Sequence, residues 1–130
     1  MVNILIKTDS HYNVNRKRIR KAIEAHLWDK KVRGKAEISI TVVGDRQMKK
    51  LNKKYRSVDT TTDVLSFPQI NTDKSLKFID PPDDILRLGD IIISYPQVIN
   101  DARNEEKLVD DKIDELIIHG LDHLLGYNHD

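Results

Sequence analysis

Cysteine is absent from this chain of 130 residues. That excludes a disulfide framework, a thiolate metal site and a cysteine nucleophile, so any transition metal bound here must rely on imidazole or carboxylate ligands. Long apolar runs are also missing. No stretch approaches the roughly 18 consecutive apolar residues of a membrane span, and the expectation is a protein with no membrane partner. The opening Met1-Val2-Asn3-Ile4-Leu5-Ile6-Lys7 has neither the basic n-region nor the small-residue cleavage site of a signal peptide, so it is expected to form a first strand. A cytoplasmic location follows as an expectation. Internal repeats, low-complexity tracts and an interdomain linker are likewise lacking.

What is present suits one globular domain over residues 1–130, with 38% apolar and 33% charged residues. The formal net charge of +1 hides a strong asymmetry. Arg16 to Arg56 holds fifteen Lys and Arg against four acids, and Ser57 to Asp130 holds six against sixteen. A basic half suits either a solvated helix face or a polyanionic partner such as RNA, whose phosphates dominate non-specific affinity.

The pattern predicts a strand over 2–7 and a basic amphipathic helix from Val14 to Trp28. A strand follows from Ala36 to Val43, then a helix capped by Asp45 and running to about Tyr55, with Met48 and Leu51 inward and Lys49, Lys50, Lys53 and Lys54 outward. Val64 to Pro68 reads as a short strand, with Leu65 and Phe67 in the core. Residues 69–87 read as a polar connection with Pro81-Pro82-Asp83-Asp84 at its turn. Leu88 to Ser94 is a further strand contributing Ile91 and Ile93 to the core. It leads into a helix with Pro96 in its first turn and Val98 and Ala102 inward. The last helix, about Leu108 to Leu125, carries its apolar stripe on Val109, Ile113, Leu116, Ile117, Gly120 and Leu124. The fold class expected is α+β, a single domain with a small mixed sheet covered by helices.

Three of the five histidines fall within eleven residues. His119 and His123, four apart on the last helix, project from one face on consecutive turns. Gly126 permits the left-handed turn that ends the helix, so His129 can return to the same metal. The spacing His-x3-His-x2-Gly-x2-His is that of the metzincin zinc motif. All-imidazole coordination suits zinc, and three protein ligands leave a fourth position for water. Gly120 stands where a zinc protease has its glutamate base, which removes peptide hydrolysis by that route. Asp122 points about 100° away from each neighbouring histidine and is expected to be solvated. His11 and His26 have no such company and are expected to be ordinary surface residues.

His119-Gly120-Leu121-Asp122-His123-Leu124-Leu125-Gly126-Tyr127-Asn128-His129 resembles the signature His-Gly-x-Leu-His-Leu-x-Gly-Tyr-Asp-His of the bacterial YbeY family, metal-dependent single-strand endoribonucleases of ribosomal RNA maturation. Two further blocks agree in order. Asn52, Tyr55, Arg56 and Asp59 with Thr62-Asp63-Val64-Leu65-Ser66-Phe67-Pro68 resemble the family's central block, and Leu88-Gly89-Asp90-Ile91 resembles its Gly-Asp-Ile strand. Asp122 replaces the family's leucine, Asn128 its aspartate and Thr61 its proline.

The resemblance implies one zinc ion (Zn2+) per chain on His119, His123, His129 and a water, with a catalytic arginine at Arg56. A guanidinium can grip a phosphate through two hydrogen bonds and offset charge that builds in the transition state. Lys50, Lys53, Lys54 and Arg56 are the expected RNA-binding residues. Asp63 is expected to serve as a strand-end cap or, with Asn128, to support the metal ligands. The implied function is cleavage of single-stranded RNA in ribosomal RNA processing, at the 3′ end of 16S rRNA, and in ribosome quality control. Ribosomal particles or proteins are the implied partners, and DNA is not. Two alternatives stay open: a zinc-containing ribosome-assembly or RNA-binding factor with little nuclease activity, and a metal hydrolase of another substrate.

Overall fold

The computed structural model describes residues 2–9, 11–69 and 85–126. The elements run β1 (Val2–Thr8), α1 (Arg16–Asp29), β2 (Lys35–Val43), α2 (Asp45–Arg56), β3 (Val64–Pro68), β4 (Ile85–Ser94), α3 (Tyr95–Asn104) and α4 (Val109–Leu124). The strands form one sheet in the order β1-β2-β4-β3. β1 and β4 both pair parallel to β2, while β3 pairs antiparallel to β4 along the sheet edge. The fold is α+β with a mixed sheet, as the pattern predicts.

Side-chain alternation divides the sheet into two unequal faces. Ile4 and Ile6, Ile38, Ile40 and Val42, and Ile91 and Ile93 point to one face. There they pack with Ile19, Ile23 and Leu27 of α1 and with Ile113, Ile117, Leu121 and Leu124 of α4. Most of the core lies in this layer. The opposite face carries a small cluster of Val43, Met48 and Leu65, with Leu51, Phe67 and Ile92 packed against it, and among the described residues α2 is the helix that covers it. Val64 joins the large core while Leu65 joins the small one. The edge strand β3 is thus flanked by α4 on one side and α2 on the other.

Two local features depart from the sequence pattern. β4 begins at Ile85 rather than Leu88, because Ile85, Leu86 and Arg87 pair with Lys35, Ala36 and Glu37 of β2. Its register then shifts, Glu37 facing Arg87 and Ile38 facing Gly89. Gly89 has φ +135°, and a Cβ there would stand 2.2 Å from the Phe67 carbonyl oxygen, so the bend requires glycine.

The second departure is at Asp45, which is the first residue of α2 rather than its cap; Gly44 caps the helix without a side-chain bond. The Asp45 carboxylate instead accepts from Thr61 Oγ1 (3.1 Å), Ser94 Oγ (2.7 Å) and Gln97 Nε2 (3.2 Å), tying the start of α2 to the start of α3. The Pro81–Asp84 turn expectation lies outside the described residues.

Candidate metal centre and nucleic-acid interface

The buried stripe of α4 fixes the rotation of the helix. With Ile113, Leu116, Ile117, Gly120, Leu121 and Leu124 inward, His119 and His123 are left on an exposed flank one turn apart. The helix ends at Leu124, and Gly126 adopts φ +87°, its N–H donating to the His123 carbonyl oxygen at 3.1 Å. That is the left-handed turn expected from the sequence. His129 and Asn128 lie outside the described residues. Among the described residues no three His, Asp or Glu side chains converge as a metal site.

Ser66 is the residue to which the sequence reading assigned no role. Its Oγ lies 2.5 Å from Nδ1 of His123. Leu65 and Phe67 pack in the small cluster under α2, so alternation turns Ser66 to the α4 side. In the tautomer that donates Nδ1–H to the serine oxygen, Nε2 keeps its lone pair and points away from β3's hydroxyl. Such an outer contact holds a ligating imidazole in one orientation. Alternation along Val64–Pro68 was the signal available in the sequence.

Gly120 is buried against β4, and a Cβ there would stand 3.1 Å from Ile91 Cδ1. The position that would carry a protease's glutamate therefore faces the core and has no room for a carboxylate.

Asp122 corrects an expectation. It is 7% exposed rather than solvated, and its Oδ1 lies 2.5 Å from His26 Nε2. His26, expected on the surface, is half-buried by this contact, which joins α1 to α4. The physical reason is the tilt of the Asp122 side chain toward α1, where His26 in the last turn offers the partner that a buried carboxylate requires. His11 is exposed, beside Asp9.

Asp63 ends the connection from α2 to β3. Its carbonyl oxygen accepts from Ser94 N–H at 2.9 Å, and its carboxyl neighbours that of Asp101 on α3. Burial, and then this carboxyl neighbour, hold Asp101 above the ordinary carboxylate range. Lys112 is also buried, with its Nζ 2.8 Å from Glu105 Oε2 and 3.5 Å from Glu115 Oε1. Burial depresses its ammonium, yet the pairing with Glu105 and Glu115 outweighs this and leaves it raised.

α2 presents Lys50, Lys53, Lys54 and Arg56 to solvent, and Ser57 closes it in the left-handed region at φ 59°. Because α2 and α4 lie on opposite faces of the sheet, the cationic helix and the histidines flank the edge strand β3 from two sides. Arg56, in the last turn of α2, is the member of the basic set closest in sequence to the segment leading into β3. Tyr55 beside it is half-exposed and meets Phe67 edge-on, the ring centroids 5.0 Å apart.

The family model described as Endoribonuclease YbeY matches residues 4–130. A relative named Endoribonuclease YbeY from Roseiflexus sp. (strain RS-1) is 38% identical over 86% of this chain and 69% of its own length. Another of that name, from Dehalococcoides mccartyi, is 35% identical over 98% of this chain and 77% of its own. Among solved structures, the solution structure of TM1509 from Thermotoga maritima superposes with a TM-score of 0.61 at 26% identity, covering 98% of this chain and 75% of that one. The order of elements, the histidine helix with its serine partner and these matches agree: the chain belongs to the endoribonuclease YbeY family.

Proposed function

We propose that this protein is a metal-dependent endoribonuclease that cleaves single-stranded RNA, acting in the cytoplasm on ribosomal RNA and in ribosome quality control. The observation that carries the reading is the exposed pair His119 and His123 on one helix, with Ser66 holding the second ring, in a chain whose relatives are named endoribonucleases. Two imidazoles on one flank, one of them oriented through its other nitrogen, suit a zinc ion, and His129, outside the described residues, is the proposed third ligand. Bound there, zinc would supply Lewis acidity toward a phosphate oxygen and a water of lowered pKa.

The remaining work falls to the chain's own side chains. Lys50, Lys53 and Lys54 draw in the RNA backbone as point charges. Arg56 grips the phosphate under attack and offsets its growing negative charge. Ser66 keeps Nε2 of His123 available. Gly120 keeps a carboxylate out of that position, so the nucleophile, a water or the RNA 2′-hydroxyl, gives up its proton to solvent rather than to a residue there.

The test is cleavage of a single-stranded RNA by the zinc-loaded wild type beside His123→Ala and Arg56→Ala. A loss of about 100-fold or more is expected in each, in line with losing a preorganised charge-stabilising group. Unchanged cleavage in both variants would overturn the proposal. The position of the basic helix across β3 from the histidines favours one second reading, an RNA-binding ribosome-assembly factor with little nuclease activity. Ribosomal-particle binding by the wild type without cleavage would select it.

A further inference from the structure

Among the described residues the sheet face under α2 is only partly covered, and beside the helix it forms a groove of 440 Å³, within the range of about 300–1,000 Å³ typical of small-ligand sites. Tyr55 and Leu51 of α2 with Phe67 of β3 line it on the apolar side; Thr41, Asp90 and Lys7 are its polar lining. A smaller depression of 140 Å³ shares Ser39 and Asp90 with it and continues across the strands past Leu5, which is 51% exposed. The two make a track along the face opposite the histidine helix.

We propose that this groove takes an unpaired nucleobase of the RNA, stacked on Tyr55; the inference rests on the RNA reading above. Three observations carry it. Tyr55 is 54% exposed yet held in place by its edge contact with Phe67, so a rigid aromatic surface is offered to solvent at little ordering cost. Lys54 places its Nζ over one face of the Tyr55 ring, 5.1 Å from the centroid, leaving the other face for a base, and Arg56 follows in sequence, so cations suited to phosphate lie beside the aromatic surface on the same helix. Finally, charge decides which part of the nucleotide enters. Asp90 in the groove, accepting from Ser39 Oγ at 2.5 Å, offsets the charge of Lys7, so the groove has no net charge to draw in a phosphate, while the carboxylate accepts hydrogen bonds from a base edge. The backbone is thereby directed along the lysines of α2 and the base into the groove. A duplex cannot satisfy this arrangement, because its bases are already stacked and paired, whereas a single strand can.

The strand thus contacts both sides of β3, with its base on the α2 face and its phosphodiester reaching around the edge toward His123. Among the described residues β3 is the edge strand of the sheet.

The test uses the full chain and a short single-stranded RNA carrying one 2-aminopurine, with 2′-O-methyl groups to keep it intact. Wild type should change the 2-aminopurine fluorescence on binding, and unlabelled single strand should compete where duplex of the same sequence does not. Tyr55→Leu should bind about 5- to 100-fold more weakly without the fluorescence change, in keeping with the loss of one stacked base, and Tyr55→Trp should restore both. Wild-type affinity and fluorescence change in Tyr55→Leu, with binding weakened by Lys53→Ala and Lys54→Ala, would overturn the stacking site and leave the RNA reading standing. Failure of wild type to bind the RNA at all would remove both. A melting temperature for Tyr55→Leu and Tyr55→Trp separates stacking from support of the small cluster: weak binding by both variants together with a lowered melting temperature in both overturns the proposal.

Discussion

Ser66 and Gly89 show how single positions in neighbouring strands serve different ends. Ser66 acts through His123, at 2.5 Å from its Nδ1. Ser66→Ala is expected to weaken zinc binding by about 10- to 100-fold, the usual effect of removing such an outer contact, with little change in the melting temperature of the metal-free protein. A competition titration against a zinc chelator reads the affinity, and an unchanged value would remove Ser66 from the site. Gly89 acts on the fold alone. Its φ of +135° and the 2.2 Å approach of a Cβ to the Phe67 carbonyl oxygen leave no tolerated side chain. Gly89→Ala should cost about 3 kcal/mol or more, combining backbone strain with a displaced strand, as measured by urea denaturation. The Gly-Asp-Ile block thus has a steric explanation in its glycine, independent of chemistry.

Between elements, polar contacts add to the apolar seating of α4. Arg18 of α1 pairs with Asp114 at 2.7 Å and with Asp111, and its guanidinium is raised by Asp114 first and Asp111 second. His26 and Asp122 join the same two helices near the histidine end. At the α3–α4 junction two pH effects oppose each other. Glu115 is held low by Lys107 at 2.6 Å, and Glu105 is held low by Lys112. A carboxyl whose folded pKa is depressed contributes stability above its ordinary value of 4.5, and that contribution is lost as pH falls through the folded value. Asp101 is the reverse case. Raised by burial and by Asp63, it is best tolerated protonated, so its ionisation costs stability as pH climbs from its ordinary 3.8 through the raised value. Asp101→Asn should therefore raise the melting temperature at pH 7 and gain little at pH 4. Thermal unfolding at the two pH values checks this, and an equal gain at both would contradict it.

At the scale of the whole molecule, charge segregation is the dominant property. Fifteen cations against four acids occupy Arg16 to Arg56, and α2 carries its share on one exposed helix. Neutralising about three phosphates on a single strand gives a slope of roughly −2 for log affinity against log salt. The Lys50→Ala, Lys53→Ala and Lys54→Ala triple variant should flatten that slope by about 2, read from filter binding between 50 and 300 mM salt as an approximate working range. A slope unchanged by the triple variant would move the RNA away from α2.

Much of this was legible in the chain itself. The 3.6-residue period of α1 and α4 and the alternation in β2 set those elements, because each must bury one face; the spacing of His119 and His123 put both imidazoles on one flank for the same reason. What the sequence could not supply was partnership across distance. Ser66 meets a histidine 57 residues away, and Asp122 meets one 96 residues away; local polarity marked the first as unassigned and the second as solvated. The start of β4 at Ile85 was hidden because pairing with β2, not intrinsic pattern, makes those residues a strand. Periodicity records only which side of an element is buried, whereas the mixed order β1-β2-β4-β3 decides what lies on the other side, and that placed the basic helix and the histidines on opposite faces of one edge strand.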